Sequence, residues 1–279
     1  MNPTVLVTGP TGKVGRRLIP RLLRRGVTVR PAGRSPGGVP FDWTDPGTYP
    51  AARDGADAIF VVTGGIPLPS HPGFVHALLD GATAARVVLL SAYGVDQAPP
   101  SSPLRGIELA VQSSGLPYTI LRPGAFMQNF SEPHFTGAAD SIRERDEIAM
   151  PGGDGLVSWV STENIAAVAA VALTEDGHDG RAYAPVGPSA LTLTEVAERL
   201  SAAIGRRIRY VETDREPLRK ALLAAGAPPE VAEHNSALYA AAMTTGAFGA
   251  RNDDILRVTG APPVTFAEFA TETFGTRPR

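Results

Sequence analysis

The chain has 279 residues, a formal net charge of −2 and no cysteine, which excludes disulfides, thiolate metal sites and a cysteine nucleophile. Its basic residues are scattered, so no footprint for nucleic acid or an anionic membrane stands out, and no apolar run approaches the ~20 residues that span a bilayer. A chain of this length buries a substantial core, and a strand pattern within a few residues of Met1 leaves no room for a secretory leader, so a cytoplasmic protein is expected.

The first strand, Thr4-Val5-Leu6-Val7-Thr8, runs into Gly9-Pro10-Thr11-Gly12-Lys13-Val14-Gly15 and then an amphipathic stretch from Leu18 to Leu23. Strand, glycine turn and helix in that order suit a dinucleotide. The glycines let backbone approach a pyrophosphate, and the helix N-terminus offers unpaired N–H groups and partial positive charge. Gly9, Thr11, Gly12, Lys13, Val14 and Gly15 are therefore candidate cofactor contacts. The second strand, 27–30, ends at Ala32-Gly33-Arg34-Ser35, where a dinucleotide fold meets the adenosine ribose. An acidic residue there would bind a 2′-hydroxyl. Arg34 and Ser35 stand in its place, and a guanidinium suits a 2′-phosphate, so NADP(H) is expected over NAD(H).

A short third strand over 39–42 puts Asp42 and Trp43 beside the adenine, with Trp43 either packing as core or stacking on the base. Asp45 reads as a helix N-cap with Pro46 at the first helical position. The fourth strand, 58–62, is uninterruptedly apolar, as in a parallel strand covered on both faces. It opens into the proline-rich loop 63–72, which offers Thr63 and Gly64 to the cofactor and His71 to a substrate. A fifth strand, 86–90, leads to Ser91-Ala92-Tyr93-Gly94. A helix over 102–114 and a sixth strand over 118–122 follow, then Pro123-Gly124-Ala125-Phe126-Met127-Gln128-Asn129-Phe130. Alternating strands and helices of these lengths predict an α/β fold with right-handed crossovers and a doubly wound, Rossmann-like parallel sheet.

From Ser131 onward the pattern changes. Helical residues over 141–147 give way to a loop at 151–155, then a helix over 165–173 capped by Ser161 and Thr162, and a strand within 182–186. Thr192-Leu193-Thr194-Glu195 reads as a capping box before a helix over 196–204. A short strand over 208–211 precedes an Ala-rich helical lobe with helices at 216–225, 229–243 and 266–274. The expected division is a dinucleotide-binding domain over 1–187, with 131–155 contributing to the substrate pocket, and a smaller, mostly helical lobe over 188–279.

Taken together, the Thr8–Gly15 turn, Leu90-Ser91-Ala92-Tyr93-Gly94, Ser114-Gly115-Leu116-Pro117-Tyr118-Thr119-Ile120-Leu121-Arg122-Pro123-Gly124, Met127-Gln128-Asn129-Phe130 and Trp159-Val160-Ser161-Thr162-Glu163-Asn164-Ile165-Ala166 resemble the NmrA-like branch of the atypical short-chain dehydrogenases/reductases. The resemblance implies a Rossmann-like NAD(P)-binding domain and a smaller lobe closing over the nicotinamide end. It also implies Ser91 and Pro123 among the cofactor contacts, and Phe126, Asn129 and Phe130 on the substrate side. The family holds NADPH-dependent reductases of quinones, isoflavone-type aromatics and polyketide-like intermediates, and also redox-sensing regulators that bind the dinucleotide without turning it over.

Short-chain dehydrogenases generally pair a tyrosine with a lysine four residues on, which lowers the tyrosine pKa toward neutrality. Aligned on this chain, that pair falls at Leu104 and Glu108. The chain's lysines are Lys13 and Lys220, so none replaces it. Glu108 reads as a surface-helix partner of Arg105. The remaining candidate proton donors are Tyr93, Ser91 and His134, with His71 and Tyr93 as candidate substrate contacts; Tyr93 either donates a proton or lines the pocket. The expected function is an NADPH-dependent reductase of a quinone-like, aromatic or polyketide-type small molecule. The alternative is a redox sensor, or the same fold doing non-redox chemistry on such a ligand. A monomer or homodimer that binds a small aromatic or quinone-like ligand is expected, with no nucleic-acid or membrane partner and no metal.

Overall fold

The computed structural model describes residues 2–34, 37–65 and 67–275; Ser35 lies outside the described residues. In chain order the elements are β1 (Thr4–Thr8), α1 (Gly15–Arg24), β2 (Thr28–Gly33), β3 (Val39–Pro40), α2 (Tyr49–Arg53), β4 (Ala58–Val61), α3 (His71–Leu79), β5 (Arg86–Leu90), α4 (Pro103–Gln112), β6 (Tyr118–Leu121), α5 (Ala138–Arg145), β7 (Glu147–Met150), α6 (Thr162–Thr174), β8 (Arg181–Tyr183), α7 (Leu193–Ile204), β9 (Arg209–Glu212), α8 (Glu216–Ala224), α9 (Pro229–Thr245), α10 (Asp254–Thr259) and α11 (Phe266–Phe274). Single-turn 3₁₀ segments precede α2, α4 and α5.

These elements form two compact units. The first comprises 1–123, 162–185 and 254–261, and the second 124–161, 186–253 and 262–279. Each is assembled from three stretches of chain, whereas the sequence suggests a single division after residue 187.

The first unit is a seven-stranded sheet in the order β3-β2-β1-β4-β5-β6-β8, with every adjacent pair parallel. This is the doubly wound arrangement expected. Alternation along the strands divides its core into two faces. Leu6, Ile59, Val61, Val87, Leu89 and Ile120 pack with Val75 and Leu78 of α3 and Ile107 and Val111 of α4. Val5, Val7, Phe60 and Val88, equally buried, point to the opposite face, and α1 and α6 form the helix pair of the other layer. Strand order reverses between β1 and β4, which pair from Val5↔Ala58 to Val7↔Phe60. A crevice outside the carboxyl ends at such a reversal is where dinucleotides sit in open sheets.

The second unit holds β7 and β9, paired in parallel from Glu147↔Arg209 to Met150↔Glu212. Its core gathers α7, α11 and residues 127–159 around Trp159, which is 1% exposed and meets Phe130 edge-on at 4.7 Å. The expected capping box is present: Thr192 Oγ1 accepts from the Glu195 N–H at 3.2 Å, and Glu195 accepts from the Thr192 N–H at 2.8 Å. A second box of the same form, Thr265 with Glu268, starts α11.

Three elements depart from expectation. The segment 63–72 is not loop throughout, because α3 begins at His71 with Pro72 in its first turn. The helix expected over 141–147 stops at Arg145, where Asp146 takes a left-handed φ of 56° and its carboxylate pairs with Arg206 at 2.5 Å. The chain then leaves as β7, whose alternating burial a helical reading conceals. Residues 254–259 add a helix, α10, that packs on α6.

Candidate functional site: a dinucleotide cradle and a buried carboxylate

The cradle is built at the end of β1. Thr8 is fully buried and its hydroxyl accepts the Val62 N–H at 2.7 Å while facing the Phe60 carbonyl at 3.0 Å. That side chain extends the β1–β4 seam beyond the last strand pair and fixes where the turn departs, a role the sequence reading did not assign. Gly9 then takes φ +63°, a conformation that favours glycine, and the Gly12 N–H closes the turn on the Gly9 carbonyl at 3.1 Å. A Cβ on Gly12 would stand 3.2 Å from that carbonyl oxygen, and one on Gly15 would overlap it. The turn and α1 are thus packed backbone to backbone. The Arg16 and Arg17 N–H groups are already taken by the Gly12 carbonyl at 3.1 Å and the Val14 carbonyl at 3.0 Å, but no side chain caps α1 at Val14 and no acidic residue stands in its first turn, so the positive end of its dipole is not offset there. Thr11 and Gly12 are exposed, Lys13 half-buried, and Val14 and Gly15 buried. This geometry fits a pyrophosphate.

The other expected cofactor positions fall around the carboxyl ends of the same strands. Arg34 is exposed just past β2, and its charge, after the hydrogen bonds from Thr44 N–H and Oγ1, helps hold the Asp42 carboxyl below its usual range. Trp43 is half-buried: its Nε1 donates to the Val62 carbonyl at 3.2 Å and its ring meets Phe41 edge-on at 4.9 Å. These contacts fix the ring's position against the protein's own core. Thr63 is half-buried, Gly64 exposed at φ +65°, and Pro123 buried with its carbonyl accepting from the Tyr93 N–H at 3.0 Å.

Glu108 corrects the sequence reading most sharply. It is not a surface residue of α4 but 0% exposed. Its Oε1 accepts from the Ser91 hydroxyl at 2.7 Å and Arg122 Nε at 2.8 Å; its Oε2 accepts from Arg122 Nη2 at 2.9 Å and Arg105 Nη1 at 2.7 Å. Asp96 adds a weaker contact to Arg122 Nη1 at 3.6 Å. Burial alone would raise the Glu108 pKa, but the Arg122 and Ser91 hydrogen bonds, the Arg122 charge and Arg105 outweigh it and hold the carboxyl below the ordinary glutamate value. Two cations and a hydroxyl therefore converge on one ionised group. The position where a catalytic lysine would stand carries the opposite charge. Ser91 directs its proton to Glu108, so toward any other group it presents acceptor lone pairs rather than a proton.

Tyr93 is half-buried, and its hydroxyl makes no hydrogen bond to a described residue. His71 is 8% exposed at the start of α3, not on an exposed loop. Its Nδ1 accepts from the Leu68 N–H at 3.1 Å, which leaves the ring proton on Nε2, and burial lowers its pKa, so the ring is neutral at pH 7.

The remaining expected residues belong to the second unit. Phe126 is half-buried and its segment bridges to Val160. Asn129 is 7% exposed, and Phe130, expected to line a substrate, is 1% exposed between Trp159 and Phe266 in the unit's core. His134 Nδ1 lies 3.0 Å from Thr136 Oγ1, and its ring lies against Phe135 with centroids 4.2 Å apart. His134 therefore belongs to a different unit from Ser91 and Tyr93, the other proton-donor candidates.

Two family descriptions match long parts of the chain: NAD(P)H-binding over residues 9–176 and the NmrA-like family over residues 105–269. An NAD(P)H azoreductase of Xenophilus azovorans is 39% identical over 95% of this chain and 96% of its own length. A (4-alkanoyl-5-oxo-2,5-dihydrofuran-3-yl)methyl phosphate reductase of Streptomyces griseus is 34% identical over 96% of this chain and 97% of its own. Among solved structures, the NADPH complex of an NADPH-dependent quinone oxidoreductase from Escherichia coli shares the fold with a TM-score of 0.80. Its identity is 21% over 98% of this chain and 100% of that one. No described helix is long and apolar enough to cross a membrane, and the described residues contain no cluster of groups suited to a metal ion. With the glycine cradle in place and the match running along nearly the whole sequence, the chain is an NAD(P)H-dependent oxidoreductase and belongs to the NmrA-like family.

Proposed function

We propose that this protein is an NADPH-dependent reductase of quinone-like or azo-type aromatic acceptors. The observation that carries the acceptor class is Glu108. An ordinary carbonyl reductase needs an acid of lowered pKa beside the reacting oxygen. Here the lysine that would lower it is replaced by a carboxylate, and Ser91 gives its proton to that carboxylate. Acceptors whose added charge is delocalised over a conjugated system do not need a strong protein acid. The reduced nicotinamide, when bound, supplies the hydride. The chain's own part is to bind the pyrophosphate at the Gly9–Gly15 turn, hold Ser91 as a fixed acceptor through Glu108, and offer Tyr93 as the weak proton donor. The azoreductase relative supports the same acceptor class.

Loss of NADPH absorbance is measured against a panel of benzoquinones, naphthoquinones and azo dyes, with simple aldehydes and ketones as contrast. Turnover is expected with the conjugated acceptors and not with the simple carbonyls. Tight NADPH binding with no oxidation by any acceptor would overturn the reading in favour of a dinucleotide sensor.

Arg34 supports NADPH over NADH: a guanidinium at the end of β2, exposed and without a hydrogen bond to a described residue, suits a 2′-phosphate. Arg34→Ala is expected to lower kcat/KM for NADPH by roughly tenfold to a hundredfold, the range for a lost charge-assisted contact, and to leave that for NADH nearly unchanged. Equal losses with both cofactors would remove Arg34 from this role.

A further inference from the structure

One imidazole on the carboxyl side of the sheet has both its tautomer and its direction set by the protein. His71 opens α3, which follows β4, the strand lying between β1 with its glycine turn and β5 with Ser91. It is 8% exposed. Its backbone N–H donates to the Leu68 carbonyl at 3.0 Å, and its Nδ1 accepts from the Leu68 N–H at 3.1 Å. Pro72 beside it is packed so closely on α4 that a Cβ at Gly106 would stand 2.8 Å from the proline Cγ. The ring is held by its own loop, and the start of its helix is held by α4.

A ring nitrogen that accepts carries no proton, so the ring proton stands on Nε2. Protonation of Nδ1 would set two donors against each other and put a positive charge at the positive end of the α3 dipole. Burial lowers the pKa in the same direction. The Nε2–H meets no hydrogen-bond partner among the described residues, and it is not sealed from solvent as the Trp159 indole nitrogen is. It is therefore a neutral donor, fixed in direction and open to a ligand. Ser91 and Tyr93, which follow β5, do not supply such a donor. The Ser91 proton is committed to Glu108, and the Tyr93 hydroxyl, without a partner among the described residues, is free to rotate. A phosphate is a poor occupant, because it draws an imidazole toward the charged form that the Leu68 N–H opposes. An uncharged oxygen that gains charge during reaction suits a fixed neutral donor.

We infer that His71 donates from Nε2 to the carbonyl oxygen of a quinone-like acceptor, the atom that becomes negative as the acceptor is reduced. This assignment rests on the proposed reductase activity and adds to it the group that holds the reacting oxygen. A quinone that has accepted the hydride is a hydroquinone monoanion, with NADP⁺ as the other product. His71 keeps its proton throughout and stabilises that anion through the hydrogen bond. The proton that completes the hydroquinone comes from Tyr93, which is restored from water.

The probe is menadione. His71→Asn keeps an acceptor where Nδ1 stands, since the asparagine Oδ1 can take the Leu68 N–H, and removes the Nε2 donor. Its kcat/KM for menadione is expected to fall roughly tenfold to a hundredfold, the range for a lost hydrogen bond to a charged group. The loss should lie mostly in kcat, with NADPH affinity by calorimetry and melting temperature near the native values. His71→Gln, whose amide nitrogen reaches the Nε2 position, is expected to recover part of the loss. An undiminished rate in His71→Asn, or an equal loss of NADPH affinity, would overturn the assignment. The contact is also read on the native chain without turnover. Menadione added to the NADP⁺ complex, where no reduction occurs, is expected to shift the His71 Nε2 resonance in nitrogen NMR, assigned through bonds to the His71 backbone. Absence of that shift overturns the contact, and this measurement decides the question should His71→Asn fail to fold. A native chain that turns over no quinone overturns the reductase reading, a result the resonance shift does not depend on.

Discussion

Glu108→Ala is expected to lower the stability of this protein by about 3–5 kcal/mol, the range for removing one partner from a buried ion pair. Thermal melting would read this as a drop of the order of 10 °C. The lost group is fully buried, accepts four hydrogen bonds and counters two arginines. Its removal leaves Arg122, whose side chain is 16% exposed, without the carboxylate that both ends of its guanidinium engage. Most of the cost is that stranded cation, so Glu108→Leu combined with Arg122→Leu is expected to melt above Glu108→Ala alone, as coupled neighbours do. The acid limb carries a second signature. The folded carboxyl titrates below its ordinary value of 4.5, so its contribution is full above that pH and is lost as pH falls through the folded value. Glu108→Gln should flatten that part of the stability–pH curve while leaving the neutral and alkaline parts parallel to the native protein. A Glu108→Ala protein melting within 2 °C of the native chain would mean that the stranded arginines are satisfied by solvent at little cost, and that the pair does not carry this stability.

The sequence carried a signal for this cluster that the expected surface pairing overlooked. On α4 the apolar stripe runs Leu104, Ile107, Val111 at helical spacing, and Glu108 stands within it rather than opposite it. A charge on a buried stripe requires a partner, and Arg122 directly follows the very next strand. Spacing alone would therefore have placed a carboxylate in the core and a cation within reach. It would not have supplied Ser91 as the third member, because that depends on β5 and β6 lying side by side in register, Leu90 against Leu121.

The sheet, by contrast, was legible almost strand by strand. Parallel strands buried on both faces read as unbroken apolar runs, and Ala58–Val61 and the Val87-Val88-Leu89-Leu90 part of β5 are of that kind. Where local signals conflict with their surroundings, legibility fails. The prolines of residues 67–72 suggest loop, yet Pro72 occupies the first turn of α3, a position that needs no N–H. Glu147–Met150 carries only four residues of alternation, and its pairing partner β9 lies some sixty residues away. The placement of Phe126, Asn129, Phe130 and His134 rests on the resemblance rather than on any local pattern. Phe130 is as apolar as a pocket wall and as a core residue must both be, and composition does not distinguish the two.

The paired substitutions Gly15→Ala and Gly73→Ala are expected to act in opposite directions. Both glycines lie in helices with ordinary helical backbone, where alanine is favoured by about 1 kcal/mol. Gly73 in α3 is exposed, with nothing within 4 Å of an added Cβ, so Gly73→Ala should raise the melting temperature slightly and leave NADPH binding unchanged. At Gly15 the same methyl group meets the Gly9 carbonyl oxygen, the Gly9 carbonyl carbon at 3.0 Å and Pro10 Cα at 3.1 Å. All three are backbone atoms, so no rotamer change relieves the contact. The turn must instead move away from the first turn of α1, at a cost of roughly 1–3 kcal/mol for overpacking. That displacement separates the N–H groups of the turn from those of the helix, which a pyrophosphate must engage together. NADPH affinity measured by calorimetry is therefore expected to fall at least tenfold in Gly15→Ala, with a lower melting temperature despite the better helix former. Native affinity in Gly15→Ala would mean that the close approach of turn and helix is incidental to binding, and that the dinucleotide is held by other parts of the sheet edge.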